Sequence, residues 1–155
     1  MPVELKIESL AVGGEAIARH EGQVVFVAGA VPGERVEAEI VETRERSARA
    51  RVLRVLEPSP LRREPQCPYF PECGGCQWLL VAPEEQLRAK ESFFYGNLER
   101  IGGLRRETLR ANPILDSGRH DRYRTRTKLH LVGPALGFLQ KGSHSLVDVA
   151  SCRLL

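Results

Sequence analysis

Short stretches of alternating hydrophobic and polar residues follow one another from the start of the chain. Glu4–Leu10, Glu15–Arg19, Gln23–Val27, Glu34–Glu42 and Ser47–Leu56 alternate or run apolar, as strands do. Gly13-Gly14, Glu21-Gly22 and Pro32-Gly33 separate them with turn-forming residues. Five strands this short predict a small closed barrel of the oligonucleotide-binding kind. The last two form a hairpin around Thr43–Arg46. Val36, Ala38 and Ile40 are expected to meet Val52, Ala50 and Ala48 in the core, with Glu37 and Glu39 opposite Arg51 and Arg49 outside. Phe26 suits either a base-stacking platform or the core, and the core is the expectation.

Pro58-Ser59-Pro60 breaks the last of these strands, and an irregular loop holding three prolines spans Pro65–Gln77. A helix is predicted from Pro83, a residue suited to the first helical position, with Glu84 and Glu85 favourable at the positive end of its dipole. Leu87, Phe94, Leu98 and Ile101 share one helical face, Gly96 weakens the interior, and Gly102-Gly103 ends the element. Residues 104–118 read as connecting structure. A long strand over Arg122–Val132 follows, then shorter ones over Leu136–Gln140 and His144–Ala150. The fold expected is mainly β with one helix. A five-stranded barrel over residues 1–58 precedes a cysteine loop and helix over 59–103, and 104–155 begin a β domain that looks incomplete.

Charge changes this picture. Residues 1–42 hold eight acidic side chains against three basic ones, whereas residues 43–63 hold seven arginines against Glu45 and Glu57. Residues 105–128 again reach a net +5, and arginine outnumbers lysine nineteen to four. Guanidinium pairs with phosphate in a bidentate fork, so two arginine-rich blocks point to a polyanion. The opening Met1–Leu10 has neither the basic start nor the apolar run of an export signal. The longest apolar run, Val24–Val31, is too short to span a bilayer. A reducing, cytoplasmic setting is therefore expected, where cysteines bind metals more readily than they pair.

All four cysteines fall into one arrangement: Cys67, Cys73 and Cys76 crowd one loop, and Cys152 lies far downstream. Four thiolates suit a soft metal centre, either an iron–sulfur cluster or structural zinc. Structural zinc usually takes two short knuckles; here there is one, Cys73-Gly-Gly-Cys76, so the spacing favours iron–sulfur while leaving zinc open. Gly74 and Gly75 would let the backbone turn tightly beside the metal.

Within the expected strand, alternation places Arg122, Arg124, Arg126, Lys128 and His130 on one face. Same-face cations would sit about 6.6 Å apart, near the phosphate spacing of an extended nucleic-acid strand. Arg122, Arg124, Arg126 and Lys128 are thus the candidate nucleic-acid contacts. For Arg49 and Arg51, facing glutamates favour a structural role. No Ser/His/Asp set, paired-carboxylate site or phosphate-cradling glycine loop can be picked out.

The segment Cys67-Pro-Tyr-Phe-Pro-Glu-Cys-Gly-Gly-Cys-Gln-Trp78, with Gln86, Lys90 and Arg100-Ile-Gly-Gly103, resembles the iron–sulfur RNA (uracil-5-)methyltransferases, which make 5-methyluridine in transfer or ribosomal RNA. Gly13-Gly14-Glu-Ala-Ile-Ala-Arg19 and Phe26-Val-Ala-Gly-Ala-Val-Pro-Gly-Glu34 look like their RNA-binding TRAM domain. Tyr123-Arg-Thr-Arg126, Leu136-Gly-Phe138 and Val147–Cys152 resemble their central domain. The resemblance implies a [4Fe-4S] cluster on Cys67, Cys73, Cys76 and Cys152, with zinc as the alternative, and no membrane partner. Arg62, Arg63 or Arg153 would offset the cluster's charge. Members of the family continue into an S-adenosylmethionine domain that carries a catalytic cysteine. All four cysteines here match cluster ligands, so no catalytic or S-adenosylmethionine-binding residue is expected in this chain, which reads as the N-terminal part of such an enzyme. The alternatives are a stand-alone, non-catalytic RNA-binding module and a zinc-stapled protein-interaction domain.

Overall fold

A computed structural model describes residues 2–110 and 112–155; Met1, and Ala111 within the connecting stretch, lie outside the described residues. The five expected strands form: β1 (Pro2–Leu10), β2 (Ala16–His20), β3 (Gln23–Ala28), β4 (Arg35–Thr43) and β5 (Ser47–Glu57). They close into a barrel in the order β1-β2-β3-β5-β4, antiparallel except where β3 runs parallel to β5. Leu5, Ile7, Val25, Val27, Val31, Val36, Ala38 and Ala50 fill its interior with almost no exposure. Closure leaves no open sheet edge, so a core of mostly small residues suffices. Gly13, Gly14, Gly22 and Gly33 all take positive φ, as their turns require.

The β4–β5 register differs from expectation. Thr43 pairs with Ala48, Ile40 with Ala50, Ala38 with Val52 and Val36 with Val55, rather than at the shorter offsets a tight hairpin gives. Arg44–Ser47 makes a longer loop, closed by the Arg44 amide on the Ser47 carbonyl at 2.8 Å, and irregularities along the pair add further shifts. The charge pairs move accordingly: Arg51 meets Glu39 at 2.7 Å, Arg54 meets Glu37 at 3.4 Å, and Arg49 reaches Glu15 at 3.7 Å. Phe26 is not core. Val25 and Val27 point inward, which sends Phe26 to the outer face, half-buried, with Ile17 and Arg49 as register partners.

Beneath the barrel, Glu34 is fully buried. Its carboxylate accepts the Val31 amide at 2.9 Å and the Arg62 guanidinium through two nitrogens, while Arg62 also donates to the Gly29 carbonyl at 2.8 Å. This pair ties the segment beyond Pro58 to the barrel floor. Gly33 passes close to the same segment: a Cβ there would lie 3.2 Å from the Ser59 hydroxyl.

Helix α1 runs Pro83–Arg100, as expected from its proline start, and ends with the Gly103 amide bonded to the Glu99 carbonyl at 3.1 Å. Its apolar face is poorly covered, with Phe94 55% and Ile101 76% exposed, and Ala89 is the buried helical residue. A short 3-10 turn, Arg106–Thr108, follows, and the Arg106 guanidinium sits 4.2 Å over the Tyr95 ring. The remaining strands, β6 (His130–Val132), β7 (Ala135–Leu139) and β8 (Leu146–Asp148), form one antiparallel sheet. Gly137 is held to glycine by packing, since a Cβ would overlap the Val147 carbonyl oxygen at 1.8 Å.

The long strand expected over Arg122–Val132 is a strand only at its last three residues. Arg122 has φ +49°, and the amides of Arg122 and Arg124 donate to the carbonyls of Arg153 and Leu154 at 2.7 and 2.8 Å. A strand needs a partner along its length; this segment has carbonyl partners at two amides before β7 takes over. The chain divides into two compact units that interleave in sequence. One joins residues 1–62 with 81–116, and the other joins 63–80 with 117–155. The cysteine loop thus shares a unit with the C-terminal sheet, and the helix shares one with the barrel.

Removing the Glu34 carboxylate leaves a guanidinium and an amide without their acceptor. Glu34→Ala is expected to cost about 3 kcal/mol of stability, read as a lowered urea midpoint. An unchanged midpoint would show that the pair does not constrain the barrel.

Candidate metal centre

Four free thiols, each half-buried, lie in the second unit: Cys67, Cys73, Cys76 and Cys152. The loop folds on itself first. The Phe70 amide donates to the Cys67 carbonyl at 3.2 Å and the Cys73 amide to the Tyr69 carbonyl at 2.8 Å. The Gly75 amide is directed at Cys73 Sγ at 3.5 Å.

The loop is then laid against the end of β7. The Gly74 amide donates to the Leu139 carbonyl at 3.0 Å, and Cys73 bridges Gln140. A Cβ on Gly74 would come within 2.6 Å of that same carbonyl oxygen. The expected reason for this glycine, room beside a metal, gives way to another: the strand backbone occupies the space.

Cys152 is brought to the loop by contacts on both of its flanks. Two residues before it, the Ala150 amide donates to the Tyr69 hydroxyl at 3.0 Å. One residue after it, Arg153 reaches the Gln66 carbonyl at 3.2 Å and the Gln66 side-chain oxygen at 2.8 Å. Tyr69 and Gln66 themselves flank Cys67, so the two cysteines are bracketed together by protein groups. The remaining Arg153 nitrogens grip Asp121, which draws the Asp121 carboxyl below the ordinary carboxylate range and the guanidinium further up.

The electrostatics of the thiols agree with this placement. Burial pushes the Cys76 thiol up, and the neighbouring Cys152, Cys73 and Cys67 push it further, while Arg124 opposes them. The four sulfurs therefore share one neighbourhood. Among the described residues, no group of three or more His, Cys, Asp or Glu side chains is placed to hold a metal ion as it stands. The donor set nonetheless fits a thiolate-liganded group: four free thiols that a metal cation would deprotonate, its positive charge then offsetting the repulsion among the thiolates.

Of the cations expected to offset the cluster, Arg153 lies beside the Cys67 flank, whereas Arg62 is committed to Glu34 in the barrel unit. Arg122, Arg124, Arg126 and Lys128 are all exposed. Arg124 is the one whose charge is felt at Cys76, which the alternation of the sequence could not reveal. Tyr69 also escaped sequence reasoning; an aromatic two residues from Cys67 carries no local signal of a distant amide.

Residues 2–53 match the TRAM domain family. Over 152 residues the chain is 42% identical to an uncharacterized RNA methyltransferase of Bdellovibrio bacteriovorus, covering 97% of this chain and 38% of that protein. The 23S rRNA (uracil(1939)-C(5))-methyltransferase RlmD of Shewanella amazonensis is 36% identical over 159 residues, covering 99% of this chain and 35% of the enzyme. RlmD of Photorhabdus laumondii is 34% identical over the same shares. The chain is homologous to the N-terminal portion of RNA methyltransferases. It spans little more than a third of the length of these relatives. Among the described residues, no helix is long and apolar enough to cross a membrane.

The Arg153 clasp has a pH signature. Because the folded pKa of Asp121 is lowered, the bond is intact above the ordinary carboxylate range and is lost as pH falls through the lowered value. Carboxyl-carbon NMR should place the Asp121 midpoint below about 3.9, and Arg153→Ala should return it toward that value. An ordinary midpoint in the unaltered protein would show that the clasp does not form in solution.

Proposed function

We propose that this chain is the RNA-recognition and cluster-binding portion of an S-adenosylmethionine-dependent RNA (uracil-5-)methyltransferase acting on ribosomal or transfer RNA in the cytoplasm. The observation that carries it is the gathering of the three loop cysteines and Cys152 in one compact unit, each of the other three sulfurs felt at Cys76. The TRAM match and the relatives named as uracil methyltransferases support the RNA part.

In this reading Cys67, Cys73, Cys76 and Cys152 hold a [4Fe-4S] cluster, with Arg124 and Arg153 nearest to offset its charge. When bound, the cluster supplies a covalent staple between the loop and the C-terminal segment. Exposed Arg122, Arg126 and Lys128, together with Arg124, meet RNA phosphates. S-adenosylmethionine and the nucleophile that adds to uracil belong to the remainder of a full-length enzyme, where the target base is flipped out of its stack.

Anaerobically reconstituted protein should be brown and hold about four irons per chain. A colourless protein with one tight zinc would overturn the cluster assignment. Replacing Arg122, Arg126 and Lys128 together by glutamate should weaken RNA binding and flatten its dependence on salt; unchanged affinity would remove this segment from the interface.

A further inference from the structure

The outer face of the barrel carries an aromatic that the hydrophobic core does not use. Phe26 on β3 is half-buried, and it helps line a shallow depression of about 60 Å³ together with Glu42, Arg44, Ser47, Ala48 and Arg49. Small-molecule pockets run to about 300 Å³ or more, so this hollow cannot enclose a cofactor. A flat group lying on the ring is what it can take.

The surroundings narrow the choice. Arg49 is the register partner of Phe26 on the parallel strand β5, and Arg44 heads the loop that leads into β5. Two arginines thus line the same hollow as Phe26, with Ser47 between their positions in sequence. Each guanidinium is held by a carboxylate, Arg44 by Glu42 at 2.7 Å and Arg49 by Glu15 at 3.7 Å. Both arginine side chains are more than half exposed. A guanidinium has five N–H donors, and one carboxylate contact orients it without exhausting them. An aromatic that shares a hollow with oriented, largely exposed arginines is complementary to an unpaired nucleotide: the base stacks and the adjoining phosphates pair.

We propose that Phe26 is a stacking platform for one unpaired RNA base, with Arg44 and Arg49 binding the phosphates on either side of it. This subsite rests on the proposed RNA-binding function and deepens it, by naming single-stranded RNA as what the barrel's outer face holds. The basic segment, residues 122–128, belongs to the other unit.

The test measures binding of a fluorescein-labelled single-stranded RNA dodecamer to the full chain by anisotropy, from about 50 to 200 mM salt. Stacking releases no counterions, whereas phosphate pairing does. Phe26→Leu, which keeps apolar bulk on the sheet, should lose about tenfold in affinity at every salt concentration with the slope unchanged. Phe26→Tyr should bind as the unaltered chain does, a control that the position tolerates substitution. Arg44→Gln with Arg49→Gln should instead flatten the slope, by about 0.7 for each phosphate that is no longer paired. Unchanged affinity in Phe26→Leu overturns the subsite while leaving RNA binding by the chain intact. Absence of binding by the unaltered chain brings down the RNA reading and the subsite with it.

Discussion

Everything distinctive in the second unit depends on Cys152 being delivered to a loop from which 75 residues separate it. Closing a loop of that length costs about 4.5 kcal/mol of chain entropy by analogy with a disulfide, so something must hold the ends together. The hydrogen bonds from Ala150 to Tyr69 and from Arg153 to Gln66 do this on either side of the cysteine pair. Single exposed bonds of this kind are weak, each contributing about 1 kcal/mol. They bring the flanks of Cys67 and Cys152 together but do not offset the closure alone, and a four-thiolate metal centre would supply the difference.

Backbone proximity reinforces the same geometry. Gly74 and Gly137 allow the loop, β7 and β8 to approach at distances that a methyl group would forbid. The site is therefore built from contacts between main chains, with side chains at Tyr69, Gln66, Asp121 and Arg153 acting as clasps. Positive charge is placed sparingly: Arg124 opposes the crowded sulfurs, and Arg153 is divided between Gln66 and Asp121. The barrel unit follows the opposite plan, with closure by a complete strand ladder and the pairing of buried Glu34 with part-buried Arg62.

Much of this was legible in the sequence wherever the determinant is local. The five barrel strands and the helix beginning at Pro83 follow from alternation and capping chemistry. What depends on partners was not legible. The β4–β5 register shifted because loop length and bulges are set by the whole barrel, not by the hairpin's own alternation. Phe26 was misplaced because Val24–Val27 is apolar on both faces, so period alone does not choose which face is inside. The basic segment alternates as a strand should, yet alternation says nothing of whether a neighbour exists to pair with residues 122–129. Nor could contiguous reading anticipate that the cysteine loop leaves its sequence neighbours, the barrel and helix, for the distant C-terminal sheet.

Mass-spectrometric alkylation of each cysteine, before and after stripping the metal with a chelator, tests the joint grip most directly. All four thiols should be shielded together in the loaded protein and become reactive together on stripping. Rapid labelling of Cys152 in loaded protein, while Cys67, Cys73 and Cys76 stay shielded, would contradict the account.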